Sequence, residues 1–185
     1  MLNSKQDLKY YLSEDLKRFD GKKPTIKDWI LHNEIWYIYH YIYHLRYVEY
    51  YQSKKGLNKL LFLWHFFRYK RLGFKLKFTI YPNTVGPGLR IYHAGDFTHV
   101  GPNVRIGYNC TMLPGVVFGN KGEETDNRPV VVGDNCYIGL GAKIFGEVKI
   151  GNNVTIGANA VVTKGIPDNA VVGGIPAKVI KYKEE

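Results

Sequence analysis

Two cysteines, two methionines and three serines are all that the 185 residues hold of those types. The cysteines are too few for a disulfide-stapled fold. Cys110 and Cys136 occupy matching places in the tetrapeptides "GYNC" and "GDNC", which marks them as small interior fillers. No serine lies between residues 85 and 165, so that region has no serine nucleophile to carry an acyl group. No stretch approaches 18 uninterrupted apolar residues, which argues against a membrane span. The first residues, "MLNSKQDLKYYLSEDLK", lack the apolar core of a signal peptide, so a cytoplasmic location is expected.

Acidic residues are in short supply at one end. The chain carries 26 Lys and Arg against 16 Asp and Glu, a net charge of +10. Residues 1–80 hold 16 basic against 7 acidic groups, and the rest hold 10 against 9. The basic part is also aromatic, as in "EIWYIYHYIYHLRYVEYY". Its punctuation at Gly21, Pro24, Gly56 and Gly73 predicts three helices, at 5–19, 26–52 and 56–72. A helix apolar on nearly every side belongs against other helices or a partner subunit. The alternative is docking of the basic helices on an anionic membrane surface or a phosphate-rich substrate. Nucleic-acid binding is disfavoured, because the basic residues form no recognised module.

What the chain has in abundance is a six-residue rhythm. Aliphatic or aromatic residues recur at Val85, Ile91 and Phe97; then at Val100, Ile106, Met112 and Phe118; then from Val132 through Ile138, Ile144, Ile150 and Ile156 to Val162. Glycine often follows the beat, as at Gly101, Gly133 and Gly157. The fourth residue after it is small or aliphatic, as at Val104, Cys110, Ala142 and Ala160. Such hexads predict a parallel β-helix in which three short strands close each triangular coil and the beats stack inward. About four coils fit between residues 80 and 165. The expected class is mainly β, with a helical region over 1–77 and a repeat domain with a C-terminal tail over 78–185. The rhythm breaks twice. Once is between Phe97 and Val100, where a bulge is expected beside His93 and His99. The other is over "GNKGEETDNRPVV", residues 119–131.

The hexads, the break holding "IYHAGDFTHVG", the hydrophilic insertion and the ending "AVVTKGIPDNAVVGGIPAKVIK" resemble the left-handed β-helix acyltransferases, in particular the serine acetyltransferase-like branch and its polysaccharide O-acetyltransferases. The resemblance implies an acetyl-CoA-dependent O-acetyltransferase with no metal. "GPGLRIYH" puts His93 where the family keeps its general base, and imidazole suits that task near neutral pH. Leu140, Gly141, Ala158, Thr163, Lys164, Lys178 and Lys181 match the family's cofactor contacts, the lysines facing nucleotide phosphates. Asp15, Tyr92, Asp96, His99 and Arg128 are the candidates for holding the acceptor, Asp96 also for orienting a histidine. Tyr92 and Phe78 stand where the family has aspartates, and "DNRP" with Arg128 stands for its "DRHP". Those departures point the expectation to a sugar hydroxyl in surface polysaccharide synthesis, by direct transfer, with serine as the alternative acceptor. The resemblance also implies a homotrimer. Doubling through the aromatic helices around 35–51 and peripheral membrane association are further options. Two other classes stay open: a non-catalytic scaffold, and a zinc protein like γ-carbonic anhydrase. The latter needs three histidines, where the repeats offer two.

Overall fold

The computed structural model describes residues 2–119 and 129–184. Helices come first: α1 (Lys5–Lys17), α2 (Ile26–Ile30), α3 (Glu34–Tyr51) and α4 (Asn58–Leu76). Short strands follow: β1 (Phe78–Ile80), β2 (Arg90–Ile91), β3 (Thr98–Val100), β4 (Val104–Ile106), β5 (Thr111–Met112), β6 (Val117–Gly119), β7 (Val130–Val132), β8 (Tyr137–Ile138), β9 (Lys143–Phe145), β10 (Lys149–Ile150), β11 (Thr155–Ile156), β12 (Val161–Val162), β13 (Ala170–Gly173) and β14 (Lys178–Tyr182).

The helix boundaries depart from expectation for local reasons. The long helix expected at 26–52 is split. His32 takes a left-handed backbone (φ 54°) and Asn33 becomes the N-cap of α3, its side chain donating to Asp28. Gly73, taken as a breaker, lies inside α4. A Cβ there would come within 2.8 Å of the Phe78 carbonyl, so glycine serves close packing of the helix on β1. The helix stops instead at Lys77, in the left-handed conformation (φ 62°). The aromatic α3 is buried within the chain itself. Tyr37, Ile38, Tyr41, Ile42, Leu45 and Val48 lie in the same core as the repeats, against Tyr69, Leu72 and Phe78.

The strands build three sheets around a left-handed parallel β-helix. Sheet I runs β1-β3-β6-β9-β12, sheet II β4-β7-β10, and sheet III β2-β5-β8-β11-β13, closed by the antiparallel β14. Inward beats stack coil on coil: Ile80, Val100, Phe118, Ile144 and Val162 on sheet I, and Ile91, Met112, Ile138, Ile156 and Val172 on sheet III. Val85, Ile106, Val132, Ile150 and Ile166 face the sheet II side. The stack is therefore five coils tall, the last completed by residues 162–172. Cys110 and Cys136 are buried free thiols in successive coils. Asn109, Asn135, Asn153 and Asn169 all turn the II–III corner with φ of 55–60°. Their amides bond in pairs, Asn109 to Asn135 at 2.8 Å and Asn153 to Asn169 at 2.9 Å. Asparagine tolerates that backbone and can answer its own neighbour.

Phe97 is not an inward beat. It is 51% exposed, and the inward residue is Val100. Nine residues separate Ile91 from Val100 where other coils use six, so residues 92–97 leave the coil as a loop at the III–I corner. The bulge expected between Phe97 and Val100 lies earlier in the chain, and Phe97 belongs to it.

Candidate functional site

The III–I corner is a continuous column. The 92–97 loop stands at its base, where coil 1 passes to coil 2. Above it come Pro114–Gly115, then Leu140–Gly141, then Ala158–Asn159. Gly174–Ala177 closes the top, bonded to both sides of Val161. Each step of the column includes a glycine or an alanine, and at two of them the reason is physical. Gly141 has φ 68°, and a Cβ on it would stand 2.3 Å from Asn159 Oδ1. A Cβ on Gly115 would stand 2.7 Å from Asp96 Oδ2. The result is a low wall running from the loop that carries His93 to the start of β14.

His93 stands at the foot of that wall, its side chain 66% exposed. Its Nδ1 lies 2.6 Å from Oε1 of Glu34, the first residue of α3, and Glu34 Oε2 accepts from the Ala94 amide at 3.3 Å. A carboxylate can only accept, so Nδ1 is the donor of this bond and Nε2 is the ring nitrogen left for a ligand. The ring is oriented, with a basic nitrogen open to a ligand. Sequence reasoning missed Glu34, because 59 residues separate the partners. It took Phe78 as the loss of the orienting carboxylate. Phe78 is buried against Tyr41, and the carboxylate comes from a helix end instead.

The other acceptor candidates sort differently. Asp15 is buried, and both its oxygens are committed. Oδ2 accepts from Arg46 Nε at 2.8 Å, and Oδ1 accepts from the amides of Gly88 (2.8 Å) and Leu89 (3.0 Å). It fastens α1 to coil 1. Asp96 bonds the Phe97 amide at 2.7 Å, so the orienting of His93 falls to Glu34. Tyr92 is exposed, with the Arg90 guanidinium 4.8 Å from its ring centre; Arg90 lies equally close to Phe19. His99 points out of sheet I, stacked on Phe97 at 5.8 Å, and burial lowers its pKa. Arg128 lies outside the described residues. The insertion expected over 119–131 likewise falls mostly outside the described residues, between the end of β6 at Gly119 and the start of β7 at Val130.

The cofactor candidates divide between two corners. Leu140, Gly141 and Ala158 share the column with His93. Lys178 and Lys181 are exposed on β14, which begins where the column ends. Thr163 and Lys164 follow β12 and so sit at the far end of sheet I, on the I–II corner. The column fits a long thin ligand: a low wall with an oriented base at one end and amines at the other.

A β-helix of hexads with a histidine-bearing loop at one corner defines the class: the fold is that of the left-handed β-helix, hexapeptide-repeat acyltransferases. Residues 129–164 match the family described as bacterial transferase hexapeptide (six repeats). Within the class, the likeness is to serine acetyltransferases. That of Staphylococcus aureus is 41% identical over 97 residues, 52% of this chain and 45% of the relative. That of Buchnera aphidicola is 29% identical over 177 residues, 91% of this chain and 63% of the relative. The chain thus spans about half the length of the Staphylococcus relative. Among solved structures, the serine acetyltransferase of Neisseria gonorrhoeae superposes with a TM-score of 0.71 at 26% identity, covering 98% of this chain and 69% of that one. A Brucella abortus serine acetyltransferase solved with coenzyme A superposes at 0.74 and 23% identity, over 97% of this chain and 70% of that one. These findings overturn the sugar hydroxyl expected from Tyr92, Phe78 and Arg128, and with it a place in polysaccharide synthesis. The relatives and the structural neighbours alike act on serine by name.

Proposed function

We propose that the protein is an acetyl-CoA-dependent serine O-acetyltransferase working by direct transfer. The observation that carries it is the Glu34–His93 pair at the foot of the small-residue column. His93 Nε2 takes the proton of the serine hydroxyl as that oxygen attacks the thioester carbon. The tetrahedral intermediate collapses with loss of the CoA thiolate, which recovers the proton from the imidazolium. Glu34 holds the ring in place throughout, through its bond to Nδ1. Leu140, Gly141 and Ala158 leave room for the pantetheine arm, and Lys178 and Lys181 meet the phosphates. Tyr92, Asp96 and His99 surround the acceptor. A cytoplasmic place of work goes with that donor.

The working form is a homotrimer. What supports this is the position of Thr163 and Lys164 after β12, at a different corner from His93. In a trimer the I–II corner of one copy lies beside the III–I corner of the next, so Thr163 and Lys164 come from a neighbour. Much of the apolar surface of α3 is spent on the chain's own core, through Tyr37, Ile38, Tyr41, Ile42, Leu45 and Val48. The experiment is incubation with acetyl-CoA and L-serine, following CoA thiol release and O-acetylserine by mass. Sedimentation of the same sample supplies the mass. Thiol release that is indifferent to serine would refute the acceptor, and a one-chain mass would refute the shared site.

A further inference from the structure

Helix α4 is apolar on two sides. One side packs inward through Tyr69, Leu72 and Leu76. The other faces solvent and carries Leu60, Leu63, Trp64, Phe67 and Phe74, Phe74 being 91% exposed. Their spacings of three, four and seven residues make them one stripe along the helix. Basic side chains fill its gaps: Lys70, Arg71 and Lys75 line a shallow depression of about 580 Å³ with Phe67 and Phe74. Residues 52–77 hold eight Lys and Arg and no Asp or Glu. An apolar stripe of that size left in water is costly and marks an interaction surface.

We propose that this outward face of α4 docks on an anionic lipid bilayer, with the helix lying in the interface plane. The charge decides the occupant. Two copies meeting face to face about a twofold axis would set Lys70 and Arg71 against their own counterparts, with no acid on the face to answer them. An anionic bilayer satisfies both parts at once. Leu, Trp and Phe enter the acyl boundary, while the Lys and Arg stems run along the apolar surface and deliver their charges to phosphate. No described helix is long and apolar enough to cross a membrane. The inner side of α4 is fixed to α3 and β1, so the helix lies on the surface. The inference does not rest on the acetyl-transfer reading.

The test is flotation of the full chain with vesicles of phosphatidylcholine alone, or mixed with phosphatidylglycerol. The chain floats with the mixed vesicles at low salt, stays down with phosphatidylcholine, and is released by high salt. Each basic residue at the surface is worth roughly fivefold in partitioning, so K70Q with R71Q weakens it about 25-fold. F67S with F74S abolishes it, and circular dichroism unchanged from the parent shows that the fold is intact. Three results overturn the proposal: indifference to phosphatidylglycerol at low salt; a sedimentation mass lower in F67S/F74S than in the parent, which makes the face a contact between copies; or retention on an acidic polypeptide with no vesicle binding, which makes the partner a protein.

Discussion

One imidazole and one carboxylate, 59 residues apart in sequence, carry the chemistry assigned to this chain. The division of labour between them is testable. His93→Ala removes the base and lowers kcat about 100- to 10,000-fold. Glu34→Gln leaves the base in place but replaces an acceptor-only carboxylate with an amide, which frees the ring to turn and withdraws support from its cation. Its kcat falls less than that of His93→Ala. Its KM for acetyl-CoA stays unchanged, because the phosphates are held at the other end of the column. Glu34→Asp, which keeps the charge but shortens the reach, recovers part of the rate. Steady-state kinetics on the three variants checks this. An equal loss in kcat/KM for both substrates with kcat intact would mean that Glu34 only stabilises the loop.

At the scale of elements, the helices hold a second histidine pair with a different destiny. His44 of α3 and His65 of α4 face each other with their Nδ1 atoms 2.9 Å apart, buried among Tyr43, Tyr47, Tyr51 and Trp64. Burial lowers the pKa of His44 to about 3, helped by the nearby His65, Arg68 and His40; burial alone lowers His65 to about 4. Both folded pKa values lie below the unfolded one, near 6.5. Above that value neither state binds the protons and stability is unaffected. As pH falls below it the unfolded chain takes them up and the folded chain does not, so stability is lost down to the folded values. Each ring contributes a slope below about 1.4 kcal/mol per pH unit. Urea midpoints measured from pH 7 to 4.5 should therefore fall steeply, and His65→Phe should flatten the fall. A parallel decline in that variant would place the acid sensitivity elsewhere.

For the whole molecule, the question is why a helical region and a β-helix behave as one body. Arg46 is the join. Fully buried, it donates to Asp15 of α1, to Glu49 of α3, and to the carbonyls of Val85 and Gly86 in coil 1. Glu49 in turn accepts from the Asn83 amide at 2.7 Å. Burial works against the guanidinium charge, but Asp15 and Glu49 outweigh it and raise its pKa. Arg46→Met takes the cation away and leaves two carboxylates in the interior. Breaking a buried ion pair from one side costs about 3–5 kcal/mol, and denaturant unfolding should show a loss of that size. The loss should appear in helix and strand signals together, since one core spans both. Separate transitions would show two independent units.

The sequence by itself determined the β-helix. Residues that must stack inward recur every sixth place, each coil repeats the last, and so a local pattern dictates a global shape. It also marked His93, since a loop of extra residues in a strict repeat is visible as a break in period, although Phe97, being aromatic, passed for a beat and hid where the loop began. The helices were legible in kind but not in extent. Gly73 reads as a terminator in one dimension, and only the Phe78 carbonyl close against it shows that the glycine is there for contact. Tertiary structure alone decided the site. A period along the chain says nothing of which helix end arrives at which corner, so Glu34 stayed invisible while Asp15, nearer to the family's pattern, was spent on Arg46. Stacking is fixed by neighbours six and eighteen residues away. The meeting of Glu34 with His93 is fixed by how α1, α3 and the first coil close around one buried cation, and that is a property of the folded chain only.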